Sequence, residues 1–100
     1  MEKWQNWVRI LLDTNSSDLS GRDDAAMYLA DSDEPEAFSS LALVGSDLAT
    51  PKVLAWSCGE SLGEIWCRRG QVDHDVFMRL TPPAQQEAKD IIKARRPDLL

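Results

Sequence analysis

The residues of this chain that could carry out catalysis centre on Ser61. The segment GESLG, residues 59–63, matches G-x-S-x-G, a pattern that in one large class of hydrolases places a nucleophilic serine on a sharp turn between a strand and a helix. The only histidine, His74, lies downstream between Asp73 and Asp75, so the residue types of a Ser-His-Asp triad are all present. Whether Ser61 is a nucleophile depends on the element that positions it.

That element is predicted to be a long helix. It opens at Thr50-Pro51 and stops at Gly70, and the residues before the serine, PKVLAWSC, show no alternating strand pattern. With about 100° per residue, Ser61 falls on a broad apolar face with Val53, Leu54, Cys58, Leu62 and Ile65. We therefore expect Ser61 to be a core residue whose hydroxyl bonds a carbonyl one turn back, and we expect no catalytic residue. A small hydrolase is the alternative, but 100 residues cannot build the wide sheet that it needs.

The other side of this helix indicates a second packing surface. Ala55, Gly59 and Gly63 form a strip of small residues, joined by Trp56 and Cys67. Glycine inside a helix costs roughly 1 kcal/mol relative to alanine, so close approach of another helix should offset it. The strip expected to stay polar and exposed consists of Ser57, Glu60, Glu64 and Arg68.

Helical periodicity continues through the rest of the chain and predicts an all-α fold of about six helices in antiparallel pairs. The expected helices cover residues 2–12, about 20–30, 35–45, 51–69, 73–80 and 82–96, with Ser20 and Asp33 capping the second and third. Trp4, Trp7 and Trp66 are expected in the core, and His74 is expected to be a solvated helix-start residue.

Charge is spread unevenly, and this bears on the type of partner. The net charge is −6, and residues 13–50 hold nine acids and one base, Arg22. Such a surface repels nucleic acid and attracts a basic protein. Cys58, Cys67 and His74 are too few for a metal site, and we expect no cofactor. With no apolar run that could span a membrane and no secretion signal, we expect no membrane contact and a cytoplasmic protein with reduced thiols.

A weak internal repeat accompanies the helical pattern. An offset of 33 aligns residues 23–38 with residues 56–71, so that small residues match small residues and Leu29 matches Leu62. Together with VLAWSCGESLGEI, residues 53–65, this segment resembles the HEAT-like repeat family, although the usual Val-Arg pair is replaced by Val53-Leu54. The resemblance implies a single domain over residues 1–100, a short right-handed solenoid. Residues 1–20 would form an N-terminal capping helix and loop, and residues 21–96 the helix pairs.

A short, acidic HEAT-like protein of this kind also resembles the bacterial immunity proteins of contact-dependent growth inhibition systems. This resemblance rests on size, acidity and helical pattern. It implies an inhibitor that covers the active site of a basic toxin domain, for example a ribonuclease, as a monomer or a 1:1 complex. The alternative is a HEAT-like scaffold or adaptor domain that binds a protein partner through apolar contacts.

The candidate partner-binding surface follows from placing the second helices of the repeats side by side. It consists of Asp23, Asp24, Met27, Asp31, Trp56, Glu60 and Glu64. Carboxylates there could bond Lys or Arg of a partner, and Trp56 could serve as an anchor. A purely structural role is also open, in which Asp23 and Asp24 are helix-start acids, Asp31 belongs to a turn, Trp56 packs, and Glu64 pairs with Arg68.

Overall fold

The computed structural model describes all 100 residues, which form helices and no strand. Six α-helices follow one another: α1 (Lys3–Leu12), α2 (Leu19–Tyr28), α3 (Pro35–Gly45), α4 (Lys52–Arg69), α5 (His74–Arg79) and α6 (Pro82–Arg95). Short 3-10 turns, Leu29–Asp31 and Pro97–Leu99, follow α2 and α6. The predicted all-α class and helix number are confirmed. None of these helices has the length and apolar character needed to cross a bilayer.

Proline and glycine mark the helix ends that the sequence predicts best. Pro35 and Pro82 are the first residues of α3 and α6, a position where the missing N–H costs no intrahelical hydrogen bond. Gly70 follows α4 with a φ of 73°, a left-handed conformation that glycine adopts without steric penalty.

The cap of α2 differs from the prediction. Asp18, not Ser20, precedes the helix, and its Oδ1 accepts a hydrogen bond of 2.9 Å from the backbone N–H of Gly21. A carboxylate at this position also interacts favourably with the positive end of the helix dipole. The helix therefore starts at Leu19, two residues earlier than a cap at Ser20 would place it.

Asp33 does not cap α3, which contradicts the prediction. That helix begins after Glu34 without a side-chain cap. The carboxylate of Asp33 instead accepts from the guanidinium of Arg68 at 2.9 Å and 3.1 Å. Arg68 also donates to the carbonyls of Ala30 and Ser32, so one side chain of α4 holds the whole turn between α2 and α3.

The long helix α4 is central, in contact with α2, α3 and α6. One cluster of buried apolar side chains forms the core, and every α-helix contributes to it, through residues such as Leu11, Ala25, Leu41, Leu62, Val76 and Ala88. The contact between α4 and α6 is close because of two glycines. An added Cβ would lie 2.1 Å from the Ala84 carbonyl oxygen at Gly59, and 3.0 Å from the Ile91 Cβ at Gly63. The predicted second packing side of α4 is confirmed.

The helices α2, α4 and α6 run in the same direction. Hydrogen bonds join Asp23 to Ser57, Ala26 to Ser61 and Ala30 to Arg68. On the other side of α4, contacts join Gly59 to Ala84, Gly63 to Ala88 and Cys67 to Arg96. In both sets, later residues of one helix meet later residues of the other.

Two residues of α4 lie on the opposite side from the one expected. The sequence predicts Val53 on the apolar face, but this residue is 51% exposed. Seven residues separate it from Glu60, nearly two helical turns, so both point the same way. Ser57, expected in the exposed strip, is buried, because it faces α2 and donates to Asp23.

The tryptophans occupy the core unequally. Trp66 is 1% exposed, as predicted, and packs edge-on against Phe38 and Phe77. Trp4 and Trp7 are only partly buried, at the edge of the core. Trp7 stacks on the ring of Tyr28 at 4.7 Å. These rings join α1 to α2 rather than fill the centre of the molecule.

Candidate functional site

The exposed strip of α4 is the centre of the candidate site. Its members are Val53, Trp56, Glu60 and Glu64, which follow one another at three- or four-residue spacing and so share one side of the helix. Trp56 is 40% exposed, and the Lys52 ammonium lies 4.9 Å from the centre of its ring. The N-terminal half of the α4 strip is therefore apolar and its C-terminal half acidic.

Helix α2 adds Asp23 and Met27 beside the α4 strip. The carboxylate of Asp23 accepts a hydrogen bond from the Ser57 hydroxyl, which fixes the position of this carboxylate against α4. Met27 lies one turn further along α2 and is 50% exposed. Two of the residues predicted on α2 thus lie on the same face as the α4 strip.

Helix α6 adds a carboxylate that the sequence does not reveal. The charge of Glu87 acts on Glu60 across the contact between α4 and α6. Arg95 of the same helix forms an ion pair of 3.2 Å with Glu64. Gly59 and Gly63 do indicate in the sequence that another helix packs closely on α4 and brings its side chains to the α4 strip. The sequence does not show which helix this is.

The electrostatic state of Glu60 shows that these acids converge. Its pKa is raised, first by partial burial and then by the negative charges of Glu64, Glu87 and Asp23, while Arg95 opposes the shift. Three carboxylates, one from each of α2, α4 and α6, therefore act on Glu60, and Arg95 is the one cation that opposes them. A positive group placed there would find more negative charge than Arg95 neutralises.

The structure separates the other predicted acids from this cluster. Asp24 and Asp31 are exposed and form no ion pair. Neither of them is among the charges that act on Glu60, and Asp31 lies in the 3-10 turn that follows α2. The alternative pairing of Glu64 with Arg68 is wrong, because Arg68 turns to Asp33 and Glu64 to Arg95.

The side chains that could act as nucleophiles or as a catalytic base either are buried or lie apart from one another in the fold. Ser61 is 2% exposed and lies inside a continuous helix, as expected. Its hydroxyl donates at 2.7 Å to the carbonyl of Ala26 on α2, not to its own helix as predicted. Burial raises the pKa of the Cys58 thiol to about 12, which keeps it protonated and unreactive. His74 is exposed at the start of α5.

The site is an open surface rather than a cavity. None of the clefts of the molecule is lined by the α4 strip, Asp23, Met27 or Glu87. No group of His, Cys, Asp or Glu has the arrangement of a metal site. An open acidic face with an exposed indole is suited to a macromolecule, which can offer several cations and an apolar contact at once.

Comparison of the chain with models of protein families, with curated proteins and with solved structures gives no match.

Proposed function

We propose that the chain is a cytoplasmic immunity protein that neutralises a basic toxin domain, for example a ribonuclease, by covering its active site with an acidic surface. The observation that carries the proposal is the convergence of four carboxylates from α2, α4 and α6 beside the exposed ring of Trp56. Catalytic sites that act on phosphodiesters are rich in Lys and Arg. An acidic face of this kind would occupy such a site and exclude its substrate.

We further propose that the helices form a short, right-handed HEAT-like solenoid of antiparallel pairs. The parallel course of α2, α4 and α6 supports it, because the second helices of successive repeats run in one direction. Contacts of Trp7 with Tyr28 and of Leu11 with Arg22 are those expected of two helices that run in opposite directions. In this arrangement the second helices line the binding face, which is where the carboxylates meet.

A second candidate function is an adaptor domain that binds its partner through apolar contacts. The exposed Val53, Trp56 and Met27 favour it. The two functions differ in how binding responds to salt. Electrostatic capture weakens steeply as ionic strength rises, whereas apolar contacts between the same residues do not.

The test is affinity capture from the native cell lysate at low and at high salt, with the captured proteins identified by mass spectrometry. The diagnostic variant is E60Q/E87Q, which removes two converging charges that form no ion pair. The matched control is E34Q/E36Q, which removes two charges from the exposed start of α3. Both variants change the net charge equally.

We expect the wild type and E34Q/E36Q to capture one basic protein that elutes with salt and is toxic when expressed alone. We expect E60Q/E87Q to lose it. If a partner instead survives high salt and depends on Trp56, the adaptor function is supported. Equal loss in both variants would show that only net charge matters, and would contradict a specific acidic surface.

A further inference from the structure

Arg22 is a buried cation without a buried counterion. Its side chain is 7% exposed, and no carboxylate lies within ion-pair distance of it. Nε and Nη2 both donate to the carbonyl of Leu11, at 3.0 Å and 2.8 Å, where the negative end of the α1 dipole partly offsets the charge. Buried charges are ordinarily paired, because desolvation costs several kcal/mol.

One edge of this guanidinium has no partner. Nη1 takes part in neither bond to Leu11. It is also not fully enclosed, because the only enclosed side-chain atom without a partner is Nε1 of Trp66. Nη1 therefore keeps some exposed surface, and Arg22 is one of the residues that line a cleft beside it. One N–H on Nη1 and one on Nη2 form a fork that fits the two oxygens of a carboxylate.

The cleft beside Arg22 lies between two loops and has the size of a small-molecule site. Its volume is about 480 Å³, and it is formed by the α1–α2 connection, through Thr14 and Ser16, and by the α3–α4 connection, through Asp47 and Thr50. Arg22 and Asp47 do not form an ion pair with each other. One Asp47 oxygen accepts from the N–H of Ala49, and the other oxygen has no partner.

We propose that this cleft binds a small amino-acid zwitterion, with its carboxylate on the Arg22 fork and its ammonium on Asp47. A simple anion would be attracted by Arg22 but repelled by Asp47, and a simple cation would be attracted by Asp47 but repelled by Arg22. A ligand that carries both charges can pair with both residues. Thr14 and Ser16, two polar residues that line the same cleft, suit a small polar side chain. None of the four converging carboxylates on α2, α4 and α6 lines this cleft.

The test is a titration of the full chain with L-serine and with L-glutamine, followed by the backbone amide shifts in two-dimensional NMR. Acetate and methylammonium serve as the two half-ligands. The diagnostic variant is D47N, because Asp47 is exposed and its loss should leave the fold intact. The matched control is D31N, an exposed aspartate outside the cleft. R22Q is the second variant, with its fold checked by circular dichroism.

We expect saturable shifts around Leu19, Ala49 and Thr50 with at least one amino acid, and none with methylammonium. D47N should weaken amino-acid binding about tenfold, the loss of one charge-assisted hydrogen bond, while acetate binding stays the same or improves. A folded R22Q should bind neither the amino acids nor acetate. The proposal is overturned if the wild type shows no saturable shift, or if D47N and D31N bind the amino acids equally well.

Discussion

The two sides of α4 are held by different kinds of contact. Toward α6, the helices meet through Gly59 and Gly63, and the closest neighbour of Gly59 is backbone. Toward α2, side chains of α4 reach across the gap, as Ser57 and Ser61 do to Asp23 and to a carbonyl. The contact with α6 therefore depends on the absence of side chains at the two glycines, and the contact with α2 depends on the presence of the two serine hydroxyls.

This difference determines what each side tolerates. An added atom between two backbones cannot be accommodated by a rotamer change, so it must move a whole helix. A deleted hydroxyl removes one hydrogen bond of about 1 kcal/mol and leaves the packing nearly unchanged. The α6 side should therefore be sensitive to enlargement, and the α2 side moderately sensitive to loss of polar groups.

The largest effect is expected for Gly59→Ala. Alanine would gain roughly 1 kcal/mol of helix propensity, but its Cβ would lie 2.1 Å from the carbonyl oxygen of Ala84. We expect the variant to lose about 2 to 3 kcal/mol of unfolding free energy in urea titrations.

Gly45→Ala is the matched control for that prediction. The Cβ at this position would lie 3.2 Å from the Leu80 Cδ2, the far end of a flexible side chain. We expect a change close to zero. Equal losses for the two variants would show that the glycines matter only for backbone conformation, and the comparison between the two sides of α4 would fail.

A smaller effect is expected for Ser61→Ala, on the α2 side. It removes the hydroxyl that donates to Ala26 and should cost about 1 kcal/mol of unfolding free energy. The control is Ser40→Ala. The Ser40 hydroxyl is also buried but bonds the carbonyl of Ala37 in its own helix. Equal costs in thermal unfolding would mean that the bond between helices adds nothing to the contact of α4 with α2.

The features that could be predicted from the sequence are those with local causes. Pro35, Pro82 and Gly70 set helix ends through their own backbone geometry. Gly59 and Gly63 indicate a close helix contact, because the cost of two glycines inside a long helix must be offset by packing. The offset of 33 predicts the register of α2 against α4 with an error of one or two residues, as the hydrogen bonds from Ser57 to Asp23 and from Ser61 to Ala26 show.

What could not be predicted depends on contacts between distant segments. Helical spacing alone pairs Arg68 with Glu64, but two carbonyls and the carboxylate of Asp33 converge on Arg68 from another turn. Glu87 joins the candidate site only because α6 lies against the glycines of α4. Arg22, the only base in an acidic segment, is buried because the end of α1 lies over it.

The smallest expected effect concerns Glu60 of α4, on which charges from both α2 and α6 act. Partial burial and the charges of Glu64 and Glu87 raise its pKa above the usual 4.5. The carboxyl group of Glu60 then holds its proton more tightly in the folded chain than in the unfolded chain. Ionised Glu60 therefore lowers stability above its folded-state pKa, and this penalty disappears as the pH falls below 4.5.

Glu60→Gln should remove that penalty. Because solvent screens most of it, we expect the unfolding temperature to rise by only about 1 °C at neutral pH, with no gain below pH 4.5. The control, Glu36→Gln, removes an acid from the first turn of α3, where the helix dipole favours it, so it should bring no gain. A gain for Glu60→Gln that does not change with pH would have a cause other than charge. The acids of α2, α4 and α6 would then not act on Glu60 as the candidate site requires.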